Sequence, residues 1–185
     1  PLWLPNSSKL PNGVNIPPSF NSSTFWLLLP CLSIIQPLGI FLPSLLAISI
    51  FPLATEDVAK SINHKKITQF LLDFYSSIKK ENIAVLALNP HASDNGVLGN
   101  EEIKISRAIK NANKILGNDI FKGPMVPDTI FSPMSRKNYT HFVAMYHDQG
   151  LAPLKALYFD ESINVSLNLP IIRTSVDHGT AFDIA

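Results

Sequence analysis

Between residues 1 and 54 the chain carries one charged side chain, Lys9, and nine of its 15 prolines; from Thr55 onward charged and apolar residues mix as in ordinary soluble proteins. A solvated surface around an apolar core needs both residue classes, so a soluble core has to be built mainly from residues 55–185. Within the first part, residues 25–54 form an uncharged apolar run long enough to cross a bilayer. Pro30, Pro37 and Pro43 count against one straight span, because each removes a backbone hydrogen bond and kinks a helix. Lys9 alone is too little for the basic start of a secretory leader. Two other readings stand beside membrane attachment: short buried strands separated by proline turns, or a segment that is no native fold, such as a shifted reading frame or a misjoined piece. A start at Pro1 rather than Met is what a fragment would show.

The second part alternates strand and helix patterns. Thr55-Glu56-Asp57 pairs a hydroxyl cap with acids that suit the positive end of a helix. Residues 65–80 place Ile67, Phe70, Leu71, Phe74 and Ile78 at helical spacing. The uninterrupted apolar run 83–88 predicts a strand buried on both faces. Another helix begins at about Glu101, with Ile105, Ala108, Ile109, Ala112 and Leu116 inward, and Gly117 ends it. Residues 142–146 and 163–169 predict further strands. Such alternation implies an α/β layered domain with a largely parallel sheet.

In parallel sheets ligands gather where loops leave the carboxyl ends of strands. The polar peculiarities of the chain fall there: Asn89-Pro90-His91 after one strand, His147-Asp148-Gln149-Gly150 after another, and Arg173 through Thr180 after the third. A formal charge of +1 gives no electrostatic reason for a nucleic-acid partner or a polybasic membrane patch. The single cysteine, Cys31, excludes an internal disulfide and a Cys-rich zinc site, and is compatible with a reducing, cytoplasmic setting.

His91 and His147 offer neutral imidazoles to a divalent cation, although each could equally be a hydrogen-bonded structural residue. Two imidazoles without a third ligand remain an incomplete site. Lys155, Asn164 and Arg173 combine a cation, a neutral amide and a guanidinium, a set suited to a small anionic substrate; the ordinary role of Lys155 and Arg173 would be solvated surface charge. In Asp177-His178-Gly179-Thr180-Ala181, Gly179 permits close backbone approach to a ligand and His178 presents a flat ring. No glycine-rich dinucleotide fingerprint, phosphate loop or nucleophile elbow occurs, and Gly96 and Gly99 read as turn glycines.

Taken in order, Leu88-Asn-Pro-His-Ala92, Leu98-Gly-Asn-Glu-Glu102, Gly123-Pro-Met-Val-Pro-Asp-Thr-Ile-Phe131, Ala144-Met-Tyr-His-Asp-Gln-Gly-Leu151 and Leu169-Pro-Ile-Ile-Arg-Thr-Ser-Val-Asp-His-Gly-Thr-Ala181 resemble the 4-hydroxythreonine-4-phosphate dehydrogenase family of pyridoxal phosphate biosynthesis. The resemblance implies an isocitrate/isopropylmalate-dehydrogenase-like α/β fold, incomplete here, and a homodimer with a shared active site. It implies that His91 and His147 are two of three metal-binding histidines for zinc, magnesium or cobalt. Lys155, Asn164 and Arg173 would hold a small phosphorylated amino-acid substrate. Asp177, His178, Gly179 and Thr180 would form the NAD or NADP loop, with His178 near the adenine; Asp128 lies in a matching motif without an assigned role. The implied reaction is oxidation of 4-phosphohydroxy-L-threonine with loss of carbon dioxide. The chain also departs from the pattern. Ile50 stands where the family has its third metal histidine, no Gly-His-Thr-Glu substrate motif precedes Ala54, and the family continues beyond the position of Ala185. Little or no dehydrogenase activity is therefore expected of this chain alone.

Overall fold

The computed structural model describes residues 46–51, 55–139, 141–167, 171 and 173–176. Its centre is a four-stranded, all-parallel sheet of β1 (Leu46–Phe51), β2 (Ile83–Leu86), β3 (Phe121–Met125) and β4 (His141–Tyr146), in the order β1-β4-β2-β3. Strand β1 lies inside the uncharged N-terminal part, so the sheet begins before the change of composition at residue 54. Among the described residues no helix is long and apolar enough to cross a membrane.

Side chains alternate across a strand, and both faces of β2 and β4 are covered. On one face Ile83, Val85, Val143 and Met145 join Ile67, Leu71 and Phe74 of α2 (His64–Ile78) and Ile105, Ala108 and Ala112 of α3 (Glu101–Leu116). On the other, Ala84, Leu86, Phe142 and Ala144 meet Ile130 of a short helix α4 (Pro127–Ile130) and Leu154 of α6 (His147–Tyr158). Helix α1 (Thr55–Ser61) adds Val58 to the first core, while α5 (Pro133–Arg136) buries nothing. Full burial of one large apolar side chain contributes about 2 to 3 kcal/mol, so this double cover is the main stabilising term.

Local chemistry sets the helix ends. Asn63 caps α2 by accepting from the Lys65 amide at 2.9 Å, and Gly117 closes α3 in the left-handed conformation at φ 70°. Strand β3 and helix α6 are among the elements that the sequence pattern does not announce. Strand β3 contains Lys122, Gly123 and Pro124, residues poor in strand propensity; its place at the sheet edge accommodates the missing proline N–H, and its register with β2 shifts between Ala84 and Leu86. Helix α6 is disguised by Gly150 and Pro153. Beyond it, β5 (Ile163–Ser166) and β6 (Arg173–Val176) form an antiparallel pair separate from the main sheet. Arg173 therefore stands on a strand rather than at the mouth of a loop.

Gly123 lies at φ 139°, and a Cβ built on it would run into the Val85 carbonyl oxygen of the neighbouring strand. Gly123→Ala is expected to destabilise by about 3 kcal/mol, read as a lowered urea midpoint with unchanged slope. A second expectation concerns acidity. His141, packed edge-on against Phe74 with ring centroids 6.0 Å apart, is pushed from the usual 6.5 down to about 4 by burial and then by the charge of Lys80. The folded chain holds this imidazole neutral, so the unfolded chain takes up the proton first on acidification. Its contribution is complete above pH 6.5 and is lost as the pH falls towards about 4. Thermal melting across that window should show the decline, and His141→Phe should flatten it.

Candidate functional site at the strand ends

Because β2 and β4 are parallel neighbours in register (Ile83 with His141, Val85 with Val143), their carboxyl ends emerge side by side. His147 is the first residue of α6, directly after β4. His91 lies in the turn Pro90–Gly96 that follows β2. Both imidazoles are exposed. The His147 Nδ1 is 2.8 Å from an Asp148 carboxylate oxygen. A carboxylate only accepts, so Nδ1 is the donor, and in the neutral form of the ring Nε2 is the nitrogen that offers a lone pair to a ligand.

The two strand ends are joined by one buried amide. Gln149 Nε2 donates to the Ala87 carbonyl at 2.7 Å, and Gln149 Oε1 accepts from the Met145 N–H at 2.8 Å. Ala87 N–H in turn donates to the Met125 carbonyl at 2.8 Å, which brings the end of β3 into the same chain of bonds. The turn after β2 has its own anchor. The buried carboxylate of Glu102, in the first turn of α3, accepts from the Leu88 and Asn89 amides at 3.1 and 2.8 Å, from Asn89 Nδ2 at 3.0 Å and from the Ser93 hydroxyl. Glu101 also accepts from Asn89 Nδ2, at 2.8 Å; that bond, opposed by partial burial, holds its carboxyl below the usual carboxylate range. These contacts fasten a turn in which His91, Ala92, Ser93, Asp94 and Asn95 all have positive φ, between 45° and 72°. Each such non-glycine residue costs about 1 kcal/mol, so the surroundings and not local preference impose the shape.

The second group divides. Asn164 on β5 pairs with Ser175, and Ser166 pairs with Arg173 on β6, which puts Asn164, Ser166, Arg173 and Ser175 on one face of the pair. Arg173 donates to the Ser166 hydroxyl at 3.1 Å. Among the described residues Asn164 Oδ1 is buried and accepts no hydrogen bond. Val165 and Leu167, on the opposite face, pack against the first core. Lys155 sits half-buried in the last turn of α6. Asp177, His178, Gly179 and Thr180 lie outside the described residues.

Of the two imidazoles and their surroundings, the described residues do not make a complete metal centre: no group of three His, Cys, Asp or Glu side chains able to hold a cation occurs among them. Ile50, on β1 between the pairs Ser49–Ala144 and Phe51–Tyr146, is buried in the first core. An aliphatic side chain there supplies no donor.

Comparison with known proteins adds an independent observation. The profile of the family described as pyridoxal phosphate biosynthetic protein PdxA matches residues 47–185. The chain belongs to the PdxA family. A 4-hydroxythreonine-4-phosphate dehydrogenase of Sulfurimonas denitrificans is 69% identical over 130 residues, covering 70% of this chain and 42% of the relative. One from Helicobacter pylori (strain Shi470) is 53% identical over 128 residues, covering 69% and 42%. The chain thus spans less than half the length of these PdxA relatives. The crystal structure of a 4-hydroxythreonine-4-phosphate dehydrogenase from Burkholderia phymatum superposes with a TM-score of 0.64 at 34% identity, over 83% of this chain and 47% of that one. The Klebsiella pneumoniae structure gives 0.62 at the same identity. The architecture is accordingly the isocitrate-dehydrogenase-like α/β fold with a small, incomplete parallel sheet.

Glu102 and Gln149 lie within the stretch that matches the PdxA family, yet sequence reasoning gave them no task. The available signal was a polar residue at an inward position: Glu102 one turn before Ile105 and Gln149 immediately after an exposed Asp148. Gln149→Leu leaves the Met145 N–H and the Ala87 carbonyl without partners and is expected to cost about 1 to 3 kcal/mol; Glu102→Ala strands several donors and should cost about 3 kcal/mol. Amide exchange can separate the two, with protection falling at Met145 in the first variant and at Leu88 and Asn89 in the second.

Proposed function

We propose that this chain supplies the carboxyl-terminal part of a 4-hydroxythreonine-4-phosphate dehydrogenase, acting on 4-phosphohydroxy-L-threonine with NAD or NADP and yielding 3-amino-2-oxopropyl phosphate after loss of carbon dioxide. The supporting observation is the 69% identity over 130 residues to a relative of that name. In this reading Arg173 and Lys155 hold the phosphate and carboxylate of the substrate, since a guanidinium can grip such groups through two parallel bonds and an ammonium adds a point charge. The bare Asn164 oxygen accepts a hydrogen bond from the amino or hydroxyl group of the substrate, which would satisfy an otherwise unpartnered acceptor. Holding the remote charged groups orients the carbon that gives up hydride. The Asp177, His178, Gly179 and Thr180 loop is proposed to receive the dinucleotide. His91 and His147 contribute two donors for a divalent cation such as zinc, magnesium or cobalt; a further donor has to come from elsewhere, and pairing of two copies around a shared site is part of the proposal. Val97 and Ile103, exposed by 78% and 70% beside the His91 turn, are apolar surface that a second copy would cover.

A second reading, a catalytically silent member that retains ligand binding, is favoured by the buried Ile50 and by the missing three-donor group among the described residues. Titration calorimetry with 4-phosphohydroxy-L-threonine in the presence of NAD or NADP tests the site itself. Lys155→Ala and Arg173→Ala are each expected to weaken binding by about tenfold or more. A wild-type chain that binds no substrate would sink the site reading. Turnover by the chain alone is expected to be negligible, and steady formation of reduced cofactor would instead remove the silent reading.

A further inference from the structure

We propose that Asn95-Gly96 is a site of spontaneous deamidation, a self-modification that puts a new carboxylate into the turn carrying His91. Among the described residues Asn95 is the one asparagine followed by glycine. Both residues are exposed, and Gly96 has no Cβ to hinder attack by its backbone nitrogen. Three other asparagines are held by what surrounds them. Asn89 precedes Pro90, which has no N–H to react, and its carboxamide is held by Glu101 and Glu102. The Asn113 carboxamide is bonded to Asp119 and Phe121, and the Asn63 oxygen caps α2.

The turn itself favours the reaction. Asn95 is held at φ 56° as the last of five left-handed non-glycine residues. Moving out of that conformation to bring the Gly96 nitrogen onto the Asn95 carboxamide carbon gives up strained geometry rather than a preferred one. In the first step a bond forms between the Gly96 nitrogen and Asn95 Cγ, the Cγ–Nδ2 bond breaks, and ammonia leaves with the displaced proton. Water then opens the cyclic imide. Breaking the new bond gives aspartate; breaking the original peptide bond gives isoaspartate, with one extra methylene in the main chain. No oxidant or reductant is required. Either product lowers the formal net charge from +1 to 0 and sets a carboxylate beside that of Asp94, four residues on from His91. The isoaspartate also lengthens the backbone between two fastenings, the Ser93 hydroxyl on Glu102 and the Leu98 N–H on the Ser93 carbonyl. Ageing would thereby shift the His91 turn as well as its charge.

The experiment incubates the purified full chain in mildly alkaline buffer, alongside a synthetic peptide of residues 91–100, and follows both by peptide mass and by enzymatic labelling of isoaspartate. The expected result is conversion of Asn95 with isoaspartate in excess, at a rate within about tenfold of the peptide, and at least about tenfold slower in Gly96→Ala. Asn95→Gln, which leaves Gly96 and its left-handed φ untouched, should abolish the acidic form of the peptide that carries residue 95, whatever happens at the second Asn-Gly pair, Asn12-Gly13. An Asn95 that stays intact while the peptide converts fully would overturn the proposal, as would a full-chain rate unaffected by Gly96→Ala.

Discussion

Burial of β2 and β4 on both faces is the constraint that organises this chain. Ile83, Ala84, Val85 and Leu86 have no exposed surface, and Val143, Ala144 and Met145 match them on the adjoining strand. A strand so enclosed has nowhere to send polar groups except its ends. Parallel pairing in register then delivers both carboxyl ends to the same rim, and the two histidines follow from that geometry. The helices on either side are the consequence of needing a cover on both faces, supplied by α2 and α3 on one and by α4 and α6 on the other.

At the rim, polar groups that could not be left bare are consumed in fastening the loops. Glu102 takes four donors from the Leu88, Asn89 and Ser93 region, and Gln149 links β4 to β2. What remains outward, His91 and His147, is thereby carried on segments whose positions are set from within the fold. The same logic separates the β5–β6 pair into a packed face of Val165 and a polar face of Asn164, Ser166 and Arg173.

The parts of this arrangement that were legible in the sequence are those governed by periodicity. The spacing of Ile67, Phe70, Leu71 and Phe74 placed α2 to within two residues, the apolar run at Ile83 marked β2, and the inward stripe of Ile105, Ala108, Ile109 and Ala112 marked α3. Strand β3 was hidden because Gly123 and Pro124 are tolerated only through its edge position and its shifted register, which are properties of the assembled sheet. Helix α6 was hidden because Pro153 and Gly150 outweigh local propensity until packing of Leu154 is counted. For the proposed site, His91, His147, Lys155, Asn164 and Arg173 could be nominated from motifs. The partners of Glu102 and Gln149 could not, since a hydrogen bond spanning 62 positions leaves no trace in residue spacing.

The fastening across β2 and β4 is a carboxamide, and that choice has a chemical consequence. A carboxylate in the same place would gain or lose a proton with the medium, and an ammonium could offer nothing to the Met145 N–H. Gln149 both gives and receives, and it has no ionisable proton in the physiological range. The gap between the two histidine-bearing segments is therefore set by a neutral spacer, indifferent to acidity and weakly sensitive to salt, while the charges around it are free to change.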